Sequence, residues 1–367
     1  MRIPLVVLLA SLVLAAPAGA VSGGHSLDIA TAPYVVWLPQ GCTGTLIAPD
    51  RVLTAGHCLD DFPASDISVI VGQDGNVLNG GAGDRFKTAR EHGIAAAGFS
   101  VHPKFKESFP FAHKSPSNAI ALNDVGIVIL KQPVTGVTPI RLSTGADVEQ
   151  VGETASIFGY GLTNPTDFDG PKTLQAGDMK VISAGACEKA YPKAVIASEL
   201  CAEDLAHTKA PFITACGGDS GGPFVLQTPG GPVQIGVTSW GPEVKDAKCG
   251  RKHLPGVYMR VSSFASFIND PNPVIEPFPI DTKVDFPHVT GQAKVGATLT
   301  CNPGRYGGSP AKLSYKWVWK NQTISTKNTA KAIRSMKGHS VGCSITARNA
   351  GGHWTEFAPR VGRIVIR

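Results

Sequence analysis

Short apolar runs separated by turn-forming residues fill most of the chain between residues 21 and 270. Gly, Pro, Asn and Asp stand between the runs, and turns favour these residues. Examples of the runs are YVVWL at 34–38, GTLIA at 44–48, SVIVG at 68–72, VGIVIL at 125–130 and VQIGVTSW at 233–240. Many short strands separated in this way predict an all-β barrel or sandwich.

The end of this region departs from the strand pattern. In VSSFASFI, residues 261–268, the apolar positions are 261, 264, 267 and 268. This spacing places them on one face of a helix. We therefore expect a short helix to close a domain at 21–270.

A proline-rich segment follows, with four prolines in NDPNPVIEPFP, 269–279. Such a segment is stiff and extended, so we place a linker at 271–285. Strand-like runs then resume at ATLTC 297–301, SYKWVW 314–319, VGCSITA 341–347 and RIVIR 363–367. The length of 367 residues allows two domains, and the pattern predicts a second β domain at 286–367.

The first twenty residues, MRIPLVVLLASLVLAAPAGA, have the pattern of a secretory signal peptide. One arginine precedes an apolar run, and Ala18-Gly19-Ala20 is a small-residue cleavage site. The rest of the sequence has no stretch that approaches the roughly 20 apolar residues of a membrane span. We therefore expect a signal peptide at 1–20, cleavage after Ala20 and an exported, extracellular monomer without a membrane span.

Charge is distributed unevenly between the two predicted domains. Residues 286–367 hold 13 Lys and Arg and one acid, Glu356, which leaves +12, whereas residues 1–285 carry −6. A basic surface can bind cell-wall polymers, acidic glycans or nucleic acid by releasing counterions. An anionic polymer or cell-surface ligand is therefore one expectation for the C-terminal domain, and a solvated spacer is the other.

The sequence contains eight cysteines, and an even count in an exported chain predicts disulfides. It has no C-x-x-C pair, and its ten histidines show no spacing typical of zinc ligands. We expect neither a metal nor a cofactor.

The stretch GGDSGGP, 217–223, places Ser220 among glycines. A serine nucleophile needs a histidine base, an acid that orients this base, and backbone N–H donors for the oxyanion. The G-x-S-x-G string at 218–222 also fits an α/β-hydrolase, in which an acid and a histidine follow the serine. Asp246 and His253 are the candidates there, but the surrounding sequence lacks alternating helices and strands.

A second framework places the histidine and the aspartate before the serine. His57 ends an apolar run in LTAGHC, and Asp124 begins one in NDVGIVIL. Each residue alone is compatible with an ordinary structural role, because acids often start strands and histidines serve many purposes. The three motifs in this order are far more specific.

The chain resembles the trypsin/chymotrypsin family of secreted serine proteases over about residues 21–270. The motifs that carry the resemblance are VSGG 21–24, LTAGHC 53–58, NDVGIVIL 123–130, GYG 159–161, GGDSGGP 217–223, SWG 239–241 and PGVY 255–258. The resemblance implies two antiparallel β-barrels with the active site between them. It further implies that His57 is the general base, Asp124 its orienting acid and Ser220 the nucleophile, with the N–H groups of Gly218 and Ser220 as the oxyanion hole.

The same resemblance implies a pairing for six cysteines. The pairs are Cys42–Cys58, Cys187–Cys201 and Cys216–Cys249. The remaining two, Cys301 and Cys343, flank Trp317, an arrangement typical of an immunoglobulin-like sandwich. The segments at 294–304 and 344–352 resemble bacterial immunoglobulin-like modules, although Val341 stands where antibody-type domains have a tyrosine.

In the family, the acid before the nucleophile pairs with the freed N-terminal ammonium. Here the pair would be Asp219 and Val21, and cleavage after Ala20 would expose Val21 directly. The alternative is a cut a few residues earlier, followed by trimming by another protease. The acidic calcium-binding loop of some relatives is not recognisable at 72–85, so we expect no calcium requirement.

The resemblance also locates a specificity pocket. Thr214 stands at its floor, where an aspartate would select Lys or Arg. Its walls would be Ser239, Trp240, Gly241 and Gly256, whose small glycines leave the pocket open. We therefore expect an endopeptidase with uncharged, apolar or aromatic P1 preference. The competing hypotheses are a non-catalytic binding protein on a protease scaffold and an esterase-type acyl hydrolase.

Overall fold

The computed structural model describes the chain from residue 21 to residue 361 with several gaps. The described residues are 21–60, 62, 64–73, 91–108, 120–145, 149–162, 173–192, 195–209, 212–241, 249, 252–270, 273, 288–303, 312–319, 322–349 and 352–361. The predicted signal peptide, and all of the predicted linker except Pro273, lie outside them. So do the strand-like run at 363–367 and most of the segment at 72–85.

Among the described residues, the first part of the chain contains ten strands. They are β1 His25–Ser26, β2 Val35–Leu38, β3 Cys42–Ala48, β4 Arg51–Thr54, β5 Ser68–Val71, β6 Ile94–Val101, β7 Lys106–Ser108, β8 Ile120–Leu122, β9 Gly126–Leu130 and β10 Arg141–Leu142. Six of them form a closed antiparallel barrel in the order β2-β3-β4-β9-β6-β5. Leu38, Leu46, Leu53 and Ile127 are fully buried inside the barrel. Burial of apolar side chains of this size is the main favourable contribution to folding.

The second barrel is built from the strands that follow. They are β11 Thr154–Gly159, β12 Gln175–Ile182, β13 Glu199–Glu203, β14 Pro223–Thr228, β15 Gly231–Trp240 and β16 Gly256–Arg260. They pair in the order β12-β11-β14-β15-β16-β13, and β13 pairs back to β12, which closes the barrel. Strands β1 and β10 join it at β12 and β15. The predicted all-β fold with two antiparallel barrels is therefore confirmed.

Helices are short. Helix α1 spans Ala184–Ala190 and begins at Ser183, whose hydroxyl accepts from the N–H of Ala186, a typical N-cap. Helix α2 spans Ala265–Ile268 and continues a 3₁₀ turn at Val261–Phe264. The apolar face that the sequence predicted at 261–268 is buried at Val261, Phe264 and Ile268. The short closing helix is thus confirmed.

A separate β domain follows at the C-terminal end. Its strands are β17 His288–Thr290, β18 Thr298–Asn302, β19 Lys312–Trp319, β20 Gln322–Ser325, β21 Thr329–Lys331, β22 Val341–Asn349 and β23 Gly352–Val361. They form two sheets, β17-β18-β21 and β20-β19-β22-β23. The fully buried ring of Trp317 lies in the core of this domain, and its indole N–H donates to the carbonyl of Lys327 at 3.1 Å.

Four disulfides link the described strands and turns. They are Cys42–Cys58, Cys187–Cys201, Cys216–Cys249 and Cys301–Cys343, the same pairs that the sequence suggested. The last of them joins β18 to β22 and so connects the two C-terminal sheets. An ion pair connects this domain to the first barrel, with Nη2 of Arg348 at 3.7 Å from Oδ2 of Asp60. In the part of the chain that the structure describes, no helix is long and apolar enough to cross a membrane.

Candidate active site

His57 and Asp124 are held together by two hydrogen bonds. His57 lies in a 3₁₀ turn, Gly56–Cys58, directly after β4, and Asp124 lies just before β9. Since β4 and β9 are neighbours in the first barrel, their ends bring the two residues together. Nδ1 of His57 is 2.7 Å from Oδ2 of Asp124, and the backbone N–H of His57 donates to Oδ1 at 2.8 Å. The contact fixes the ring of His57 on one side and leaves its side chain 23% exposed.

Asp124 is completely buried, yet its carboxylate is well supplied with donors. Besides His57, the hydroxyl of Ser239 donates to its Oδ2 at 2.5 Å. Burial by itself raises the pKa of Asp124, but the nearby His57 and the hydrogen bonds from His57 and Ser239 outweigh it and hold this pKa below its usual value. Asp124 is therefore ionised at neutral pH.

Ser220 lies beside the turn that carries His57. The sulfur of Cys58, the residue after His57, is 3.6 Å from the carbonyl oxygen of Ser220. The same carbonyl accepts from the N–H of Thr43 at 2.8 Å. Thr43 adjoins Cys42, whose disulfide to Cys58 ties β3 to the histidine turn. These contacts bring Ser220, which precedes β14 of the second barrel, against the first barrel.

The backbone before Ser220 takes a conformation that only glycine adopts readily. Gly218 has φ +99°, and a Cβ there would be 2.7 Å from the Cα of Gly161. Any other residue would therefore be strained and would collide with neighbouring backbone. The turn can orient its N–H groups only because glycine occupies this position.

Asp219 points away from Ser220 into a buried pocket of backbone donors. Its carboxylate accepts from the N–H of Gly161 at 2.9 Å, from that of Cys216 at 2.8 Å and from the backbone of Val21. Burial raises the pKa of Asp219 to about 7, and these bonds oppose the increase only in part. Asp219 and Val21 thus meet in a buried site without a positive side chain among these contacts, and the salt bridge to a freed N-terminus at Val21 stays a prediction.

The predicted pocket residues lie on three neighbouring segments. Thr214 is 3% exposed and forms an antiparallel bridge with Ser22. A Cβ on Gly241 would be 3.9 Å from the Cα of Gly256, so these two glycines face each other. The buried hydroxyls of Thr214 and Tyr258 have no hydrogen-bond partner among the described residues. Cys216, two residues after Thr214, is bonded to Cys249.

Trp240, on the same wall, has an anchor that the sequence analysis missed. Its indole N–H donates to Oε1 of Glu199 at 3.3 Å, and the ring of Tyr191 packs edge-on at 5.0 Å. Burial, as the largest effect, raises the pKa of Glu199 to about 7. Glu199 begins the strand ELCAE at 199–203, and nothing in the sequence connects it to a tryptophan 41 residues away.

The α/β-hydrolase arrangement that the sequence left open, and a cysteine-histidine cluster that the structure brings together, have little support. His253 is 76% exposed and contacts Glu203, with 3.2 Å between Nδ1 and Oε1, while Asp246 lies outside the described residues. Among the described residues, Cys42, His57 and Cys58 have the spacing of metal ligands. Both sulfurs are in one disulfide, so they cannot serve as thiolate ligands.

Comparisons with known proteins show the family to which this chain belongs. The Trypsin family model matches residues 21–268. Kallikrein-1 of Mus musculus is 30% identical over 255 residues, which cover 68% of this chain and 88% of kallikrein-1. Serine protease 1 of Rattus norvegicus is 32% identical over 255 residues, with the same coverage of 68% and 88%.

A solved structure is similar as well. Neuropsin, a serine protease expressed in the limbic system of mouse brain, superposes with a TM-score of 0.51 at 26% identity. The match covers 67% of this chain and 96% of neuropsin. The chain therefore belongs to the trypsin family and is a serine endopeptidase.

Proposed function

We propose that this protein is an exported endopeptidase in which Ser220 is the nucleophile, His57 the general base and Asp124 the acid that orients His57. The observation that carries the proposal is the short contact between a fully buried, ionised Asp124 and Nδ1 of His57, in a turn whose next residue, Cys58, contacts the carbonyl of Ser220. Export is inferred from the pattern of residues 1–20 and from the four disulfides.

In this mechanism, Oγ of Ser220 attacks the substrate carbonyl and its proton passes to His57. The N–H groups of Gly218 and Ser220 donate to the oxyanion of the tetrahedral intermediate. His57 then gives the proton to the leaving amine, which departs as the acyl-enzyme forms. Water next attacks the acyl group while His57 takes its proton, and His57 returns this proton to Oγ of Ser220 as the bond from Oγ to the acyl group breaks and the carboxylic acid leaves. Asp124 stabilises the imidazolium whenever His57 holds the proton.

Covalent labelling tests the proposal. A fluorophosphonate probe will label the wild-type protein, and Ser220→Ala will abolish the label, because the probe reacts with an activated serine. Ser314→Ala, which removes an exposed serine of the C-terminal domain, is the matched control and will label normally. Undiminished labelling of Ser220→Ala would refute the assignment. Absence of label in the wild type would instead favour a non-catalytic binding protein, and label without peptide hydrolysis would favour an esterase.

We further propose that the pocket around Thr214 accepts uncharged P1 side chains. Thr214 brings no charge to the floor, and Gly241 and Gly256 leave the walls open, so a large apolar or aromatic group can enter. The methyl group of Thr214 shortens the pocket and thereby favours Leu or Met. The hydroxyls of Thr214 and Tyr258, which lack a hydrogen-bond partner within the described part of the chain, also allow a tyrosine to enter without leaving its phenol unbonded.

Cleavage of a peptide library with every residue at P1 measures this preference. We expect the best cleavage after Phe, Tyr, Leu or Met, and best cleavage after Arg or Lys would contradict the proposal. Thr214→Asp will move the preference toward Arg and Lys, because the new carboxylate attracts their charge inside a buried pocket. Thr214→Ser keeps the floor uncharged and, as the matched control, will keep the preference for uncharged residues.

A further inference from the structure

Thr43 connects the two barrels at the candidate active site. It lies on β3 of the first barrel and is fully buried. Its backbone N–H donates to the carbonyl of Ser220 at 2.8 Å, and its hydroxyl donates to the carbonyl of Gly218 at 2.9 Å. One residue of the first barrel thus holds two carbonyls of the loop that contains the proposed nucleophile.

The hydroxyl of Thr43 has a second partner. Its Oγ1 accepts from the backbone N–H of Tyr160 at 3.2 Å. A hydroxyl can donate once and accept at the same time, so both bonds form together. The next residue, Gly161, donates its N–H to the carboxylate of Asp219. The hydroxyl of Thr43 therefore links the serine loop to the loop that packs against Asp219.

This link bears on the proposed oxyanion hole. Gly218 has φ +99°, and the backbone of a glycine is freer to rotate than that of any other residue. The direction of its carbonyl sets the plane of the peptide that joins Gly218 to Asp219. An oxyanion hole is effective only when its donors are oriented before the reaction. This peptide lies between the N–H donors of Gly218 and Ser220, so a bond to its carbonyl from a rigid strand limits how far either donor can turn.

We propose that Thr43 is a positioning residue that keeps the backbone donors of Gly218 and Ser220 aimed at the oxyanion. The inference rests on the proposed function, since it requires Ser220 to be the nucleophile. Thr43 touches neither the substrate nor the reacting atoms in this role. It acts through the carbonyl of Gly218, and its hydroxyl therefore stabilises the transition state by keeping the oxyanion donors oriented.

Replacement of Thr43 by valine tests the inference, because valine keeps the shape and removes the hydroxyl. We expect Thr43→Val to lower kcat about tenfold with KM unchanged, as for a loss confined to the transition state. A peptide aldehyde, which forms a tetrahedral adduct with the serine, will bind more weakly by the same factor. Thr43→Ser keeps the hydroxyl and will restore both values.

The same strand offers a matched control. Thr45 is also fully buried on β3, and its hydroxyl has no hydrogen-bond partner among the described residues. Thr45→Val therefore makes the same chemical change without removing a hydrogen bond, and its kcat will equal that of the wild type. Thermal unfolding of each variant verifies that the fold is intact. Should Thr43→Val fail to fold, Thr43→Ala takes its place.

The outcomes separate the two proposals. A wild-type protein that does not hydrolyse peptides overturns the proposed function and this inference with it. An active wild type with an unchanged kcat in folded Thr43→Val overturns only the role of Thr43. A rise in KM at constant kcat in Thr43→Val would also overturn the role of Thr43. An equal loss of kcat in Thr45→Val would do the same, because either result would indicate a general structural effect.

Discussion

Asp124→Asn will lower kcat about 10⁴-fold, the loss expected when the acid of a Ser-His-Asp triad becomes an amide. Asp124 accepts hydrogen bonds from the ring and the backbone of His57 and from the hydroxyl of Ser239. An amide can accept at only one of its two positions, so its NH₂ group would face at least one donor. The ring of His57 would then take the other tautomer, with the proton on the nitrogen that should accept from Ser220.

Steady-state hydrolysis of a chromogenic peptide measures this effect. Asp178→Asn is the matched control, because Asp178 is an exposed acid of β12 that bonds to Ser156. Its kcat will stay within about twofold of the wild type, as is usual for surface substitutions. A kcat of Asp124→Asn within tenfold of the wild type would show that Asp124 does not orient His57. Circular dichroism verifies that both variants are folded.

A chain that keeps even one residue before Val21 will be about 10²- to 10⁴-fold less active than a chain that starts at Val21. When a residue precedes Val21, the backbone nitrogen of Val21 is an uncharged amide, which donates its N–H to Asp219 but brings no charge to it. As an N-terminus, it would supply an ammonium group to a carboxylate that is 1% exposed. A buried charge that lacks its partner costs about 3–5 kcal/mol, and each 1.36 kcal/mol is a factor of ten.

The two forms will also differ in their dependence on pH. In the chain that continues before Val21, burial raises the pKa of Asp219 to about 7, above its ordinary value. The folded state then binds a proton that the unfolded state has lost, so stability falls as pH rises from about 4 to 7. An ammonium group at Val21 favours the carboxylate and removes this fall. Asp219→Asn removes the carboxyl group, so the stability of the two forms will then depend on pH in the same way over this range.

Fusions that release either Val21 or an extra alanine as the first residue allow the comparison. Activity is measured in the active protein, and the pH dependence of unfolding is measured in Ser220→Ala so that no self-cleavage occurs. Edman sequencing of secreted, active protein is the complementary measurement, and it will begin at Val21. Full activity in a chain with an upstream extension would disprove the role of the new N-terminus.

The strands and the closing helix followed from the sequence because their signals are local. Runs such as VGIVIL at 125–130 alternate with turn residues, and they coincide with strands such as β9, Gly126–Leu130. The candidates His57, Asp124 and Ser220 likewise stood out because each lies in a short, recognisable motif. The boundary at 270 and the immunoglobulin-like assignment of 286–367 remain predictions.

Other parts of the site could not be read from the sequence. Thr43 looks like an ordinary polar residue of a strand, and its bond to Gly218 spans 175 positions. Glu199 looks like a surface acid until the fold buries it under Trp240. Ser239 was expected as a pocket residue, but its hydrogen bond to Asp124 was not. Each of these roles depends on which strands of the two barrels become neighbours.

The sequence by itself identified the candidates for the chemistry of this protein: a histidine, an aspartate and a serine in the order and surroundings of a trypsin-family protease. It also determined the succession of short strands that builds the barrels. Only the tertiary structure decided which groups contact these residues and their neighbours, including the hydroxyl of Thr43 at the carbonyl of Gly218 and that of Ser239 at Asp124. The physical reason is that burial and hydrogen bonding between distant segments arise when the barrels pack, and no local pattern records them.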